Sequence, residues 1–157
     1  MRKNINISMK FGFNGIDVSD RCHPHLEGFL AEVFQGEFME FRLALGEALV
    51  NALQHGKKGM DETEVILSVR YKNKILFVDV WSNSDGFDVK KHFSELKSME
   101  KDWQDRLKHE SHGRGIWMML MGCDRVIYLD GGRRVILAVN VEKMRCKQGL
   151  LQKVRFC

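Results

Sequence analysis

The sequence predicts an α+β fold, a two-layer α/β sandwich in which helices cover one face of a mixed sheet. Three observations carry this expectation. Strand-like and helix-like segments run in the order strand, two helices, hairpin, polar excursion, helix, hairpin. Most β-rich segments come as antiparallel pairs set beside separate helices. No repeat, low-complexity tract or linker divides the 157 residues, so residues 1–157 read as one domain with a substantial core.

Residues 4–11, NINISMKF, alternate. Ile5, Ile7, Met9 and Phe11 fall on one side and polar residues on the other, the pattern of a half-buried strand. NGIDVSDRCHPH, with the only proline, reads as a loop. LEGFLAEVF reads as a helix with Leu26, Phe29, Leu30 and Val33 on one face. FMEFRLALGEALVNALQHG reads as a longer helix of good helix formers, closed by Gly56. EVILSVRY and KILFVDVW form a hairpin turning near Lys72 and Asn73, and SNSDGFD ends it in turn residues. Residues 89–111 are charged, with a thin apolar stripe of Phe93, Leu96, Met99, Trp103 and Leu107. HGRG opens a short apolar helix, IWMMLMG. RVIYL, the turn DGG and RRVILAVNV make a second hairpin. The basic tail, about residues 143–157, takes no assigned element.

Hydrophobic residues are 44% and charged residues 29%, an ordinary soluble globular mix. The net charge of +4 is spread among acidic neighbours. It is too mild to indicate nucleic acid, and no aromatic platform for bases is visible. No apolar run approaches the length of a membrane span and the N-terminus has no signal-peptide core, so no membrane partner and a cytoplasmic location are expected. Cys22, Cys123, Cys146 and Cys157 lack metal-ligand spacing and are expected to be reduced.

Three stretches carry candidate chemistry. Glu47, Asn51 and His55 are spaced four apart and share one stripe of the long helix. Phe41, Leu45, Ala48, Leu49 and Ala52 make one apolar face, and Leu43, Val50 and Leu53 make the far side apolar too. Such a helix is expected to be buried, where a carboxylate needs a partner or a wet cavity. By itself the stripe reads first as a structural polar cluster or an exposed edge. In SHGRGIWMM, two glycines at a helix start leave backbone N–H groups free for an anion, and Arg114 adds charge. By itself that is a tight turn before a core helix. In SDGFD, Gly86 permits a positive φ or a close approach.

The ordered set, ExxxNAxxHG on a helix, a hairpin ending in GFD, a polar excursion, HGRGIWMM and a GG hairpin, resembles the GHKL (histidine-kinase-like) ATPase superfamily. Within it, the chain most resembles the bacterial anti-sigma-factor serine/threonine-protein kinases, over roughly residues 40–140. The resemblance implies a Bergerat-type ATP-binding fold with ATP and Mg²⁺ as cofactors. Glu47 would be the general base. Asn51 would supply its side-chain oxygen to Mg²⁺, a hard cation that keeps several waters and binds substrate phosphates. His55 would stand at the pocket edge. Gly113 and Gly115, with the backbone amides around Arg114 and Ile116, would hold phosphates. Residues about 89–111 would be a lid over ATP. The family's first glycine box is usually D-x-G-x-G-F-D, and here it reads S-N-S-D-G-F-D. Ser82 stands at the adenine-reading Asp, Ser84 at the first Gly, and Gly86 at the second. Ser accepts a hydrogen bond without charge, so the adenine contact is expected to be weaker. Arg133 follows Gly131 and Gly132 where the family usually has Thr.

The function implied is that of an anti-sigma-type kinase in a partner-switching system. It would phosphorylate a small antagonist protein on Ser or Thr and sequester a second partner, such as a sigma factor. A homodimer is common in that family. The rival expectation is a non-catalytic protein-binding module on the same fold, with weakened or lost ATP binding.

Overall fold

The structure, a computed structural model, describes residues 5–13, 17–54, 63–102, 105, 114–144 and 148–157, with side chains from residue 26 onward. The elements are β1 (Ile5–Phe13), α1 (Asp17–Phe34), α2 (Met39–Gln54), β2 (Thr63–Lys72), β3 (Ile75–Ser82), α3 (Val89–Ser98), α4 (Arg114–Gly122), β4 (Arg125–Leu129), β5 (Arg134–Asn140) and β6 (Val154–Phe156). The strands form one sheet in the order β1-β2-β3-β5-β4-β6. All neighbours are antiparallel except β4 and β6, which run parallel, so the sheet is mixed. The α+β sandwich expected from the sequence is the observed architecture.

Period-two alternation decides which face of the sheet is covered. Val65, Leu67 and Val69 of β2, Leu76, Val78 and Val80 of β3, and Leu137 and Val139 of β5 are buried together. The residues between them, such as Ile66, Phe77, Asp79 and Ile136, are only partly buried. Helix α2 lays Phe41, Ala44, Leu45, Ala48, Leu49 and Leu53 onto this face. Helix α4 adds Ile116, Trp117, Met119 and Leu120. The two helices approach closely at Gly122, where a β-carbon would overlap the carbonyl oxygen of Glu40. Helix α3 starts at Asp88, whose side chain accepts a hydrogen bond from Lys91 N at 2.9 Å.

Four local expectations are revised. The segment read as a loop is helical from Asp17 onward, so α1 runs through Pro24. A proline inside a helix costs about 3 kcal/mol, and packing of the following turns (Leu26, Phe29, Leu30, Val33) offsets it. Helix α2 is not buried all round: Leu43 and Val50 are 45% and 44% exposed, because a two-layer fold covers only one side of its helix layer. The β2–β3 turn is the two-residue loop Asn73–Lys74, both at positive φ, which matches the twist of a tight hairpin. The tail is ordered into a 3₁₀ turn, Leu150–Lys153, and the strand β6. Leu150 and Leu151 are buried, and Lys153 Nζ donates to the carbonyls of Leu120 at 2.7 Å and Cys123 at 2.9 Å. That places a cation on the carbonyls that end α4. A three-residue strand carries no periodicity, which is why the sequence hides it. Among the described residues, no helix is long and apolar enough to cross a membrane.

Candidate functional site

Helical spacing puts Glu47 and Asn51 one turn apart on α2, both half-buried, at the edge between its core face and its exposed face. The start of α4 meets that edge. A β-carbon at Gly115 would lie 2.6 Å from Glu47 Oε2 and 3.7 Å from Asn51 Nδ2. Among the described residues, the Glu47 carboxylate has no salt bridge and no hydrogen bond. It is a carboxylate held by packing and still available to a ligand. Arg114, the first residue of α4, is exposed, whereas Ile116 is buried in the core. His55 and Gly113 lie outside the described residues.

The loop after β3 is clamped to the β4–β5 turn. Ser82 N donates to Arg133 O at 2.9 Å and Phe87 N to Gly131 O at 2.9 Å. Gly86 has φ +74°, and a β-carbon there would overlap the Gly131 carbonyl oxygen, so this position requires glycine twice over. Gly132 has φ +83°, and its missing side chain is the space into which the Phe87 ring fits. Ser82 and Ser84 are 1% and 4% exposed, and their hydroxyls are hydrogen-bonded to each other at 2.8 Å. Ser84 Oγ also accepts from Gly86 N at 3.4 Å. The two serines thus satisfy one another inside the loop.

Between α2, α4 and this clamped loop lies a narrow cleft, partly open to solvent. Its walls include Ala48, Asn51, Ala52, Phe87, Tyr128 and Arg133. Of the residues singled out from the sequence as candidate chemistry, Asn51, Gly132 and Arg133 are among those lining it. Glu47 and Gly115 stand at the adjoining α2–α4 contact, and the two serines lie beneath the loop. Phe87 and Tyr128 are the wall residues that sequence reasoning missed. Tyr128 packs edge-on against Phe87 at 5.8 Å between centroids. The available signal was the inward alternation of Val126 and Tyr128 on β4. Burial pushes the Tyr128 hydroxyl well above its ordinary value, and the Cys123 thiol adds to the shift. Asp79 faces the other side of the sheet and binds Arg134, with Nε to Oδ1 at 2.9 Å, so it has no part in the cleft.

Among the described residues, no group of three His, Cys, Asp or Glu side chains could hold a metal ion. A single amide oxygen from Asn51 beside a cleft fits a cation held chiefly by its ligand's phosphates and by water, as Mg²⁺ is. It does not suit a cation that needs a closed cage of protein groups.

A family model described as a histidine kinase-like ATPase domain matches residues 25–139. No curated protein matches the sequence.

Proposed function

This chain belongs to the histidine kinase-like ATPase domain family, and from that premise we propose that it is an ATP-dependent serine/threonine protein kinase of the anti-sigma type. One observation carries the reading: Glu47 and Asn51 share an edge of α2 beside the cleft, and the Glu47 carboxylate is unpaired among the described residues. Glu47 accepts the proton of a Ser or Thr hydroxyl as that oxygen attacks the γ-phosphorus. The bond from the γ-phosphorus to the bridging oxygen breaks, and ADP leaves. Such proton transfer contributes about 10²- to 10⁴-fold. Asn51 is the side chain fitted to hold Mg²⁺, which when bound neutralises charge on the phosphates. Arg114, exposed at the start of α4, adds positive charge near the same phosphates. Residues 89–111 act as the lid. The substrate is a small antagonist protein, and a sigma factor or another effector is the sequestered partner, with the kinase as a homodimer.

A second reading, a non-catalytic protein-binding module, is favoured by the serine pair. Ser82 and Ser84 bond to each other where the family has an acidic adenine reader and a glycine. Calorimetric titration with ATP and Mg²⁺ separates the two. Saturable binding, followed by transfer of labelled phosphate to a co-encoded antagonist protein, supports the kinase. Absence of binding at millimolar ATP sinks it and leaves the module.

A further inference from the structure

We infer that Gly115 is a positioning residue for Glu47: its missing side chain is the space that the carboxylate of Glu47 occupies. This rests on the kinase reading above for its functional consequence, but the contact stands on geometry alone. The glycines of this region differ in what they accommodate. At Gly86 and Gly122 the obstructing atoms are backbone carbonyl oxygens, of Gly131 and Glu40, so those glycines are required for the chain to fold as it does. At Gly115 the obstructing atom is Glu47 Oε2, 2.6 Å from the β-carbon position, the far end of a flexible side chain.

No backbone demand explains Gly115. Its φ is not in the left-handed region, and it is the second residue of α4, where alanine is the better helix former. The two close helix contacts are in step. Gly122 opposes Glu40 and, seven residues earlier, Gly115 opposes Glu47, seven residues later on the antiparallel partner helix. The Gly122 contact fixes how closely α2 and α4 approach, and Gly115 uses that approach to define where the carboxylate ends. Because no described residue pairs with Glu47 through an ion pair or hydrogen bond, the contact at Gly115 is what limits its carboxylate on the α4 side. A methyl group at residue 115 therefore leaves the fold intact and displaces the base.

The test is Gly115→Ala, read three ways. Thermal unfolding should be unchanged or shifted upward, and magnesium-ATP affinity should stay within about threefold. Transfer of labelled phosphate from magnesium-ATP to the co-encoded antagonist protein should fall on the order of 10²-fold, the usual loss for a reacting group displaced by about 1 Å, with a changed pH–rate profile. Shortening the base in the double variant Gly115→Ala/Glu47→Asp should recover about tenfold over Gly115→Ala, because removing one methylene restores the room. Wild-type turnover in Gly115→Ala overturns the inference. So does a loss of ATP affinity with turnover unchanged, which would make Gly115 a phosphate-approach glycine. A readout independent of activity is the side-chain carboxyl ¹³C signal of Glu47. It should move in Gly115→Ala while that of Glu40 stays. If the wild-type protein transfers no phosphate to the antagonist protein, the kinase reading fails. The carboxyl signal alone then decides, and an unmoved Glu47 signal overturns the placement.

Discussion

The carboxylate of Glu47 lies against Gly115, with Oε2 2.6 Å from where a β-carbon of residue 115 would stand. Two residues 68 positions apart in the chain thereby share one small volume at the edge of the cleft. The contact joins the Glu47 carboxylate to the start of α4, and the expectations below follow from it and from the contacts around it.

Replacing Glu47 with Ala should abolish phosphate transfer while leaving nucleotide affinity largely intact. A base acts mainly in the transition state, so the expected loss is about 10²- to 10⁴-fold in turnover. Labelled ATP with wild type and mutant side by side measures it. Full-speed transfer by the mutant would remove Glu47 from the mechanism.

On the proposed function, Ser82 stands at the adenine-reading position. Wild type should bind ATP weakly and discriminate poorly against GTP. A charged acceptor contributes about 1.5–3 kcal/mol per hydrogen bond against ~1 for a neutral one, a difference on the order of tenfold. Ser82→Asp should tighten ATP binding by about that factor, provided Ser84→Gly removes the hydroxyl that now occupies Ser82. Titration of each variant with ATP and GTP checks this, and equal gains for both nucleotides would mean that another group reads the base.

Asp79 stands three residues before Ser82, yet it belongs to the opposite face of the sheet. Asp79→Ala should leave ATP affinity unchanged and cost no more than about 1 kcal/mol, since its partner Arg134 is partly exposed. Urea unfolding and a nucleotide titration read the two effects separately. A tenfold loss of ATP affinity would contradict the placement of Asp79 on the open face.

Lys153 holds the end of α4 through two carbonyls. Lys153→Met keeps the apolar stem and removes the charge, so the loss isolates the hydrogen bonds. Hydrogen bonds to a charged group contribute about 1.5–3 kcal/mol, and the urea midpoint should fall accordingly. An unchanged midpoint would show that the tail docks through Leu150 and Leu151 alone.

Tyr128 gives a pH dependence of definite sign. Its ordinary value is 10.0, and burial raises it in the folded protein. Above pH 10.0 the unfolded chain loses this proton while the fold keeps it, so stability is full below that pH and declines as pH rises toward the folded value. Tyr128→Phe should flatten the alkaline limb of a stability-versus-pH curve. An identical limb in wild type and mutant would assign the slope to other groups.

Much of this was legible in the chain. The β-rich runs EVILSVRY and KILFVDVW marked two strands and the hairpin that joins them. Helical spacing put Glu47 and Asn51 on one stripe, and SNSDGFD marked a loop that departs from its family at Ser82 and Ser84. These are local properties, set by 3.6- and 2-residue repeats and by turn chemistry within a few residues. The tertiary structure decided whatever depends on how far apart elements come to rest. It exposed Leu43 and Val50, which look as apolar as Leu53. It brought Phe87 and Tyr128 together as cleft walls and ordered the tail against α4. It gave the glycines different tasks: Gly86 and Gly122 make room for backbone, Gly132 for the Phe87 ring, and Gly115 for one carboxylate. A glycine reads the same in every sequence, because what fills its empty side comes from another part of the chain.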